Sequence, residues 1–123
     1  MTRDEILNMP AGHELNKLIV EFVFGMKLEK NYGFAGGYYW VGNGILFGEM
    51  PAQGMPDYST DISAAWEVVD KLVRFSITIE SFPKGVLCRF FGAGKTTAGY
   101  AVGWADTAPL AICRAALLAV EAV

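Results

Sequence analysis

Apolar residues recur three and four positions apart at Leu15, Leu18, Ile19, Phe22, Val23 and Met26, with Glu14, Lys17 and Glu21 between them. This spacing predicts an amphipathic helix over residues 12–26. Ahead of it, Thr2-Arg3-Asp4-Glu5 has the spacing of a capping box and predicts a short helix ending at or just before Pro10. A second helical stripe, Ile62, Ala65, Trp66, Val69, Leu72 and Val73, is expected to face inward on a helix capped by Ser59 or Thr60, with Asp61 in its first turn. The period then falls from 3.6 to 2. Phe75, Ile77 and Ile79 alternate with Ser76, Thr78 and Glu80, Phe82-Pro83-Lys84-Gly85 turns the chain, and Val86 to Phe91 returns. Thr97 to Trp104 completes a three-stranded antiparallel meander, with Ala98, Tyr100, Val102 and Trp104 on one side.

A last helix is capped by Asp106 or Thr107 and carries Pro109 in its first turn, where a missing N–H costs little. From Leu110 to Val120 it has almost no polar face, so it is expected to lie between the sheet and another helix or subunit. Between the first long helix and the second, six glycines (33, 36, 37, 42, 44 and 48) alternate with Phe34, Tyr38, Tyr39, Trp40, Ile45 and Phe47. That mixture predicts an edge strand or hairpin near 38–47. The expected class is α+β: a mainly antiparallel sheet, the meander plus that edge strand or hairpin, covered by helices as an α/β/α sandwich.

At 123 residues the chain fits one domain, 1–123, large enough to support a core without disulfides or metal. Counting the fourteen glycines and leaving out the five tyrosines brings the apolar share to about 60%, against roughly 45–50% for average domains. Together with the apolar last helix, this predicts a homo-oligomer, most simply a symmetric dimer. Acidic residues follow Met1 where a secretory signal has basic ones, and the stretch 108–123 is too short and too charged, with Arg114 and Glu121, to span a bilayer. Cys88 and Cys113 sit in apolar segments as small hydrophobes, which fits a reducing cytoplasm. No membrane association and no cofactor are expected.

Most catalytic chemistry lacks its residues. Gly92-Ala93-Gly94-Lys95-Thr96-Thr97 suggests a phosphate loop, but Arg89 stands where the first glycine belongs and a strand follows where a helix is needed. His13 is the single histidine and sits at a helix start, and His13, Cys88 and Cys113 have no zinc-ligand spacing. Asp57 and Asp61 match no calcium loop, and helix capping accounts for Asp61.

Charge placement is more informative. The net charge is −3, which argues against a nucleic-acid polymer as partner, yet residues 71–97 carry Lys71, Arg74, Lys84, Arg89 and Lys95 against Glu80 alone, a local +4. A turn after Ser81 sets Thr78 opposite Arg89 and Glu80 opposite Leu87, so Arg89 lies diagonal to Glu80 on one sheet face. Two readings follow: a cross-strand Glu80–Arg89 pair, or Arg89 on a phosphate with Phe82 stacking on a base and Lys84 or Lys95 in support. Arg114, alone among Ala, Leu and Ile, needs either an acidic partner or a ligand, and Trp40 is a further stacking candidate beside Tyr38 and Tyr39.

Three segments carry a family likeness: Gly12-His13-Glu14-Leu15-Asn16 through Val23-Phe24-Gly25; Tyr58-Ser59-Thr60-Asp61 with Ala65-Trp66-Glu67-Val68-Val69; and Asp106-Thr107-Ala108-Pro109-Leu110-Ala111-Ile112-Cys113-Arg114-Ala115-Ala116-Leu117. Together they resemble the phage ABA sandwich family of small phage and prophage proteins. The resemblance implies a helix/sheet/helix sandwich of viral origin acting in the host bacterial cytoplasm, and it brings no catalytic residues with it. The expected function is therefore non-catalytic: capture of a defence-signalling nucleotide, cyclic or ADP-ribose-like, with Phe82, Lys84, Arg89, Lys95, Arg114 and Trp40 as binding residues. The alternatives are an accessory factor that binds a host protein through the glycine/aromatic segment, and a minor hydrolase.

Overall fold

A computed structural model describes residues 2–30, 38–42, 45–51, 56–92 and 100–120. Helix α1 (Arg3–Asn8) starts as the capping box requires, the Thr2 hydroxyl oxygen accepting the Glu5 N–H at 3.2 Å. Helix α2 (His13–Leu18) continues into one wider, π-helical turn, Ile19–Val23, closed by the Phe24 N–H on the Ile19 carbonyl. The extra residue in that turn shifts the phase of everything after Leu18. Val20 becomes buried beside Leu15, Ile19 and Val23, and Phe22, expected inside, is 44% exposed.

Strands β1 (Lys27–Lys30), β2 (Tyr38–Gly42) and β3 (Ile45–Pro51) form one antiparallel sheet in that order. The expected hairpin is β2–β3; β1 was not legible as a strand. The meander forms a second sheet, β4 (Ser76–Phe82), β5 (Gly85–Phe91) and β6 (Tyr100–Ala105), antiparallel throughout. Its register pairs Thr78 with Arg89 and Glu80 with Leu87, as the turn length predicts, and pairing extends to Phe82–Gly85, leaving Pro83-Lys84 as the turn.

Helix α4 (Ala108–Ala119) follows Thr107 as N-cap and lies against β5 and β6. Gly103 sets that approach: a Cβ there would collide with backbone atoms of Ala111 and Ala115. The other side of α4 meets α1, the π turn and α3 (Ile62–Lys71), so most of its apolar surface is buried within the chain, with Ile112, Cys113, Ala115, Ala116 and Leu117 fully enclosed and Leu110, Arg114 and Leu118 half-buried along one line. Asp61, rather than Ser59 or Thr60, caps α3, accepting the Ser63 N–H at 3.1 Å. The buried side of α3 is Ala64, Ala65, Val68 and Leu72, while Ile62, Trp66 and Val73, expected inside, are exposed. Small side chains win the inner position because α3 packs on an alanine-rich helix, where close approach leaves no room for an indole. The α+β class holds, and the layers of the described core run sheet β4–β6, then α4, then the remaining helices.

Candidate functional site

Inward residues of the meander (Cys88, Phe90, Ala101, Ala105) are buried under α4, and alternation sends their neighbours to the opposite face. No described helix covers that outer face. Phe82, Phe91 and Trp104 stand on it at 44%, 37% and 41% exposure. The Phe82 and Trp104 rings lie 5.8 Å apart, tilted, at the hairpin end, and Phe91 packs on Tyr100 at 5.4 Å at the other end. Gly85, at φ +153°, permits the first pair: a Cβ there would lie 2.6 Å from the Ala105 carbonyl oxygen and 3.1 Å from the Trp104 ring.

Beside the Phe82–Trp104 pair opens a pocket of about 280 Å³ lined by Ser81, Phe82, Pro83, Lys84, Gly85, Val86 and Asp106. It offers an aromatic wall, one ammonium group and one carboxylate. Phe82 and Lys84, two of the sequence-predicted residues, are brought together here. Arg89 is four residues up β5, on the order of 13 Å away at strand rise. Its guanidinium forms a 2.6 Å ion pair with Glu80 and lies 5.8 Å from the centre of the Tyr100 ring.

Arg114 does not join the site. Its guanidinium donates to the Met9 carbonyl from Nη2 (2.7 Å) and Nε (3.3 Å), and to the Trp104 carbonyl from Nη1 (2.7 Å). Its hydrogen-bond partners are backbone oxygens, which tie the end of α1 to β6. Burial pulls its pKa below the ordinary value, and the nearby Asp106 carboxylate, the acidic partner of the two expectations, works against that. Trp40 lies on β2 opposite Leu28, with its side chain outside the described residues, as is all of Lys95. Asp106, which lines the pocket, and Trp104, which packs on Phe82 beside it, are the residues that sequence reasoning passed over. The alternation had put Trp104 on the Tyr100 side, but only the β5–β6 register, Leu87 opposite Trp104, carries it to the hairpin turn.

Nucleophile chemistry has little support among the described residues. Burial pushes the Cys88 thiol up to about 12 and the Cys113 thiol higher still, so neither is a thiolate near neutral pH. Tyr58 is likewise pushed to about 12, by burial and then by Glu67. Among the described residues no three His, Cys, Asp or Glu side chains come close enough together to hold a metal ion, and no helix is long and apolar enough to cross a membrane.

The segments that carried the family likeness are joined in space. Ser59 donates from its N–H and its hydroxyl to the Asn16 side-chain oxygen, Phe24 stacks on Tyr58 at 5.3 Å, and Arg114 holds α1. They build the scaffold on the far side of α4 from the open face. No curated protein and no solved structure matches the chain. A family model, the phage ABA sandwich domain, matches residues 17–117, which spans all three segments in part or whole. The chain belongs to the phage ABA sandwich domain family.

Proposed function

We propose that this protein is a non-catalytic binder of a small ribonucleotide with exposed phosphate, cyclic or ADP-ribose-like, and that it acts inside the bacterial host by withholding a defence signal. The observation that carries the reading is the exposed Phe82–Trp104 pair beside the pocket holding Lys84 and Asp106. A base stacks on an aromatic shelf, a carboxylate accepts from ribose hydroxyls, and an ammonium meets phosphate. Each of those contacts is sequence-tolerant and none requires a nucleophile. Arg89 serves a ligand long enough to reach along β5, in which case its ion pair with Glu80 is exchanged for phosphate.

Titration calorimetry across cyclic mono- and dinucleotides and ADP-ribose, with mass spectrometry of what heat releases, tests the reading. The expected result is binding to at least one of them, release of an unaltered ligand, and a loss of about tenfold or more on Phe82→Ala, the equivalent of one base stack. Release of a cleaved product overturns it in favour of a hydrolase. Absence of binding to all of them overturns it in favour of a protein-binding role.

A further inference from the structure

The large exposed hydrophobics of the described residues fall into two groups. Phe82, Phe91 and Trp104 belong to the sheet face; Phe22, Ile62, Trp66 and Val73 belong to the helical layer. In the second group Ile62 is 43% exposed, Trp66 46% and Val73, just past the end of α3, 77%, with half-buried Val69 between them. Their steps of four, three and four residues are those of the seam between two paired helices. The chain's own core uses a different side of α3 (Ala64, Ala65, Val68 and Leu72), and of the stripe only Val69 packs against that core, leaving Ile62, Trp66 and Val73 exposed. Phe22 stands on the π turn, which touches α3.

We infer that α3 is a self-association surface on which a second copy of this chain docks its own α3, antiparallel, across a two-fold axis. The occupant and its direction follow from side-chain size and charge order. Rotation about a two-fold between Trp66 and Val69 sets Ile62 against Val73 and Trp66 against Val69 of the second copy, so each large residue meets a smaller one. Ser63 and Asp70 each follow a seam residue directly and flank it on the same side, both exposed. The antiparallel arrangement sets Asp70 beside Ser63 of the second copy, at an α-helix amino end whose dipole favours a carboxylate. It also sets the Asp61 end of each helix beside the Lys71 and Arg74 end of the other. A parallel arrangement would stack Asp70 on Asp70 and gather all four basic residues at one end, which is repulsive. The dimer expected from the apolar last helix thus has a different carrier, because most of α4 is already covered by its own chain, whereas Ile62, Trp66 and Val73 are exposed.

Sedimentation velocity over a micromolar concentration series, together with oxidative cross-linking of cysteine variants, tests this. The wild-type chain is expected to dimerise reversibly, and Trp66→Glu to weaken the dimer about tenfold or more. Ser63→Cys combined with Asp70→Cys is expected to form a covalent dimer, while neither single variant does. Within one chain the two positions are roughly 10 Å apart along the helix, beyond disulfide reach, and Cys88 and Cys113 are buried. The cross-link carries the test if Trp66→Glu fails to fold. A wild-type monomer throughout the series, an undiminished Trp66→Glu dimer, or cross-linking of either single cysteine variant overturns the inference. Loss of nucleotide binding would not, since the sheet face is a separate surface.

Discussion

The side-chain oxygen of Asn16 accepts two hydrogen bonds from Ser59, 43 residues away: one from the backbone N–H at 3.0 Å and one from the hydroxyl at 2.7 Å. Ser59 Oγ in turn accepts the Gly12 N–H at 3.0 Å, so a buried chain of bonds joins the start of α2 to the loop before α3. Asn16→Ala would take the acceptor away from both the N–H and the hydroxyl of fully buried Ser59. The expected loss is at least the roughly 1–3 kcal/mol that a single orphaned buried donor costs, seen as a lower Tm. The nucleotide binding proposed for the sheet face should survive below that Tm.

The two arginines that the sequence offered as ligand contacts should separate cleanly. Arg114→Ala removes every donor from its contacts with the Met9 and Trp104 carbonyls and is expected to cost about 1.5–3 kcal/mol. Arg114→Lys should restore only part, since an ammonium cannot span both carbonyls as the guanidinium fork does. Arg89→Ala breaks a partly exposed ion pair and should change stability by less than about 1 kcal/mol. Chemical denaturation of the three variants measures the contrast.

Gly103→Ala should be among the most damaging single-methyl additions in the chain. The new Cβ meets backbone of α4 rather than a movable side chain, so the helix itself must shift. Overpacking of this kind costs about 1–3 kcal/mol or more. Calorimetric melting of the variant would show the loss, and an unchanged Tm would contradict the close β6–α4 packing.

Stability should fall on the alkaline side. The Cys88 thiol ordinarily ionises near 9.0 and is held up to about 12 by burial, and Tyr58 rises from 10.0 to about 12. Between those values the unfolded chain has lost protons that the folded chain keeps, so the unfolded state gains as pH rises. The thiol and phenol contributions are fully present below about pH 9 and are lost progressively from there toward pH 12. Urea midpoints at pH 8 and above pH 10 measure the decline. Thiol-specific reagents should leave both cysteines unmodified in the native protein and label both after unfolding.

Local periodicity determined much of this molecule. Alternation over residues 75–80 and a short turn were enough to pair Thr78 with Arg89, because a strand's side-chain period of two and a fixed loop length leave one register that turns Ile77 and Ile79 toward the core. The capping box at Thr2 and the proline in the first turn of α4 acted through neighbours a few residues away, which is why both were legible. The +4 segment likewise located Phe82 and Lys84 at one hairpin. Decisions between equally apolar faces were not local. In α3 two adjacent stripes satisfy the same helical period, and the alanine surface of α4 selected Ala65 and Val68 over Ile62 and Trp66. One wider turn after Leu18 rotated Phe22 outward, a shift that a fixed period of 3.6 does not anticipate. Arg114 found carbonyls at Met9 and Trp104, and since every residue carries a carbonyl, no side-chain pattern could have named them. The site itself depended on tertiary structure for the same reason: Trp104 and Asp106 reach the Phe82 turn only because β6 pairs along β5, a long-range choice made by the packing of the core beneath.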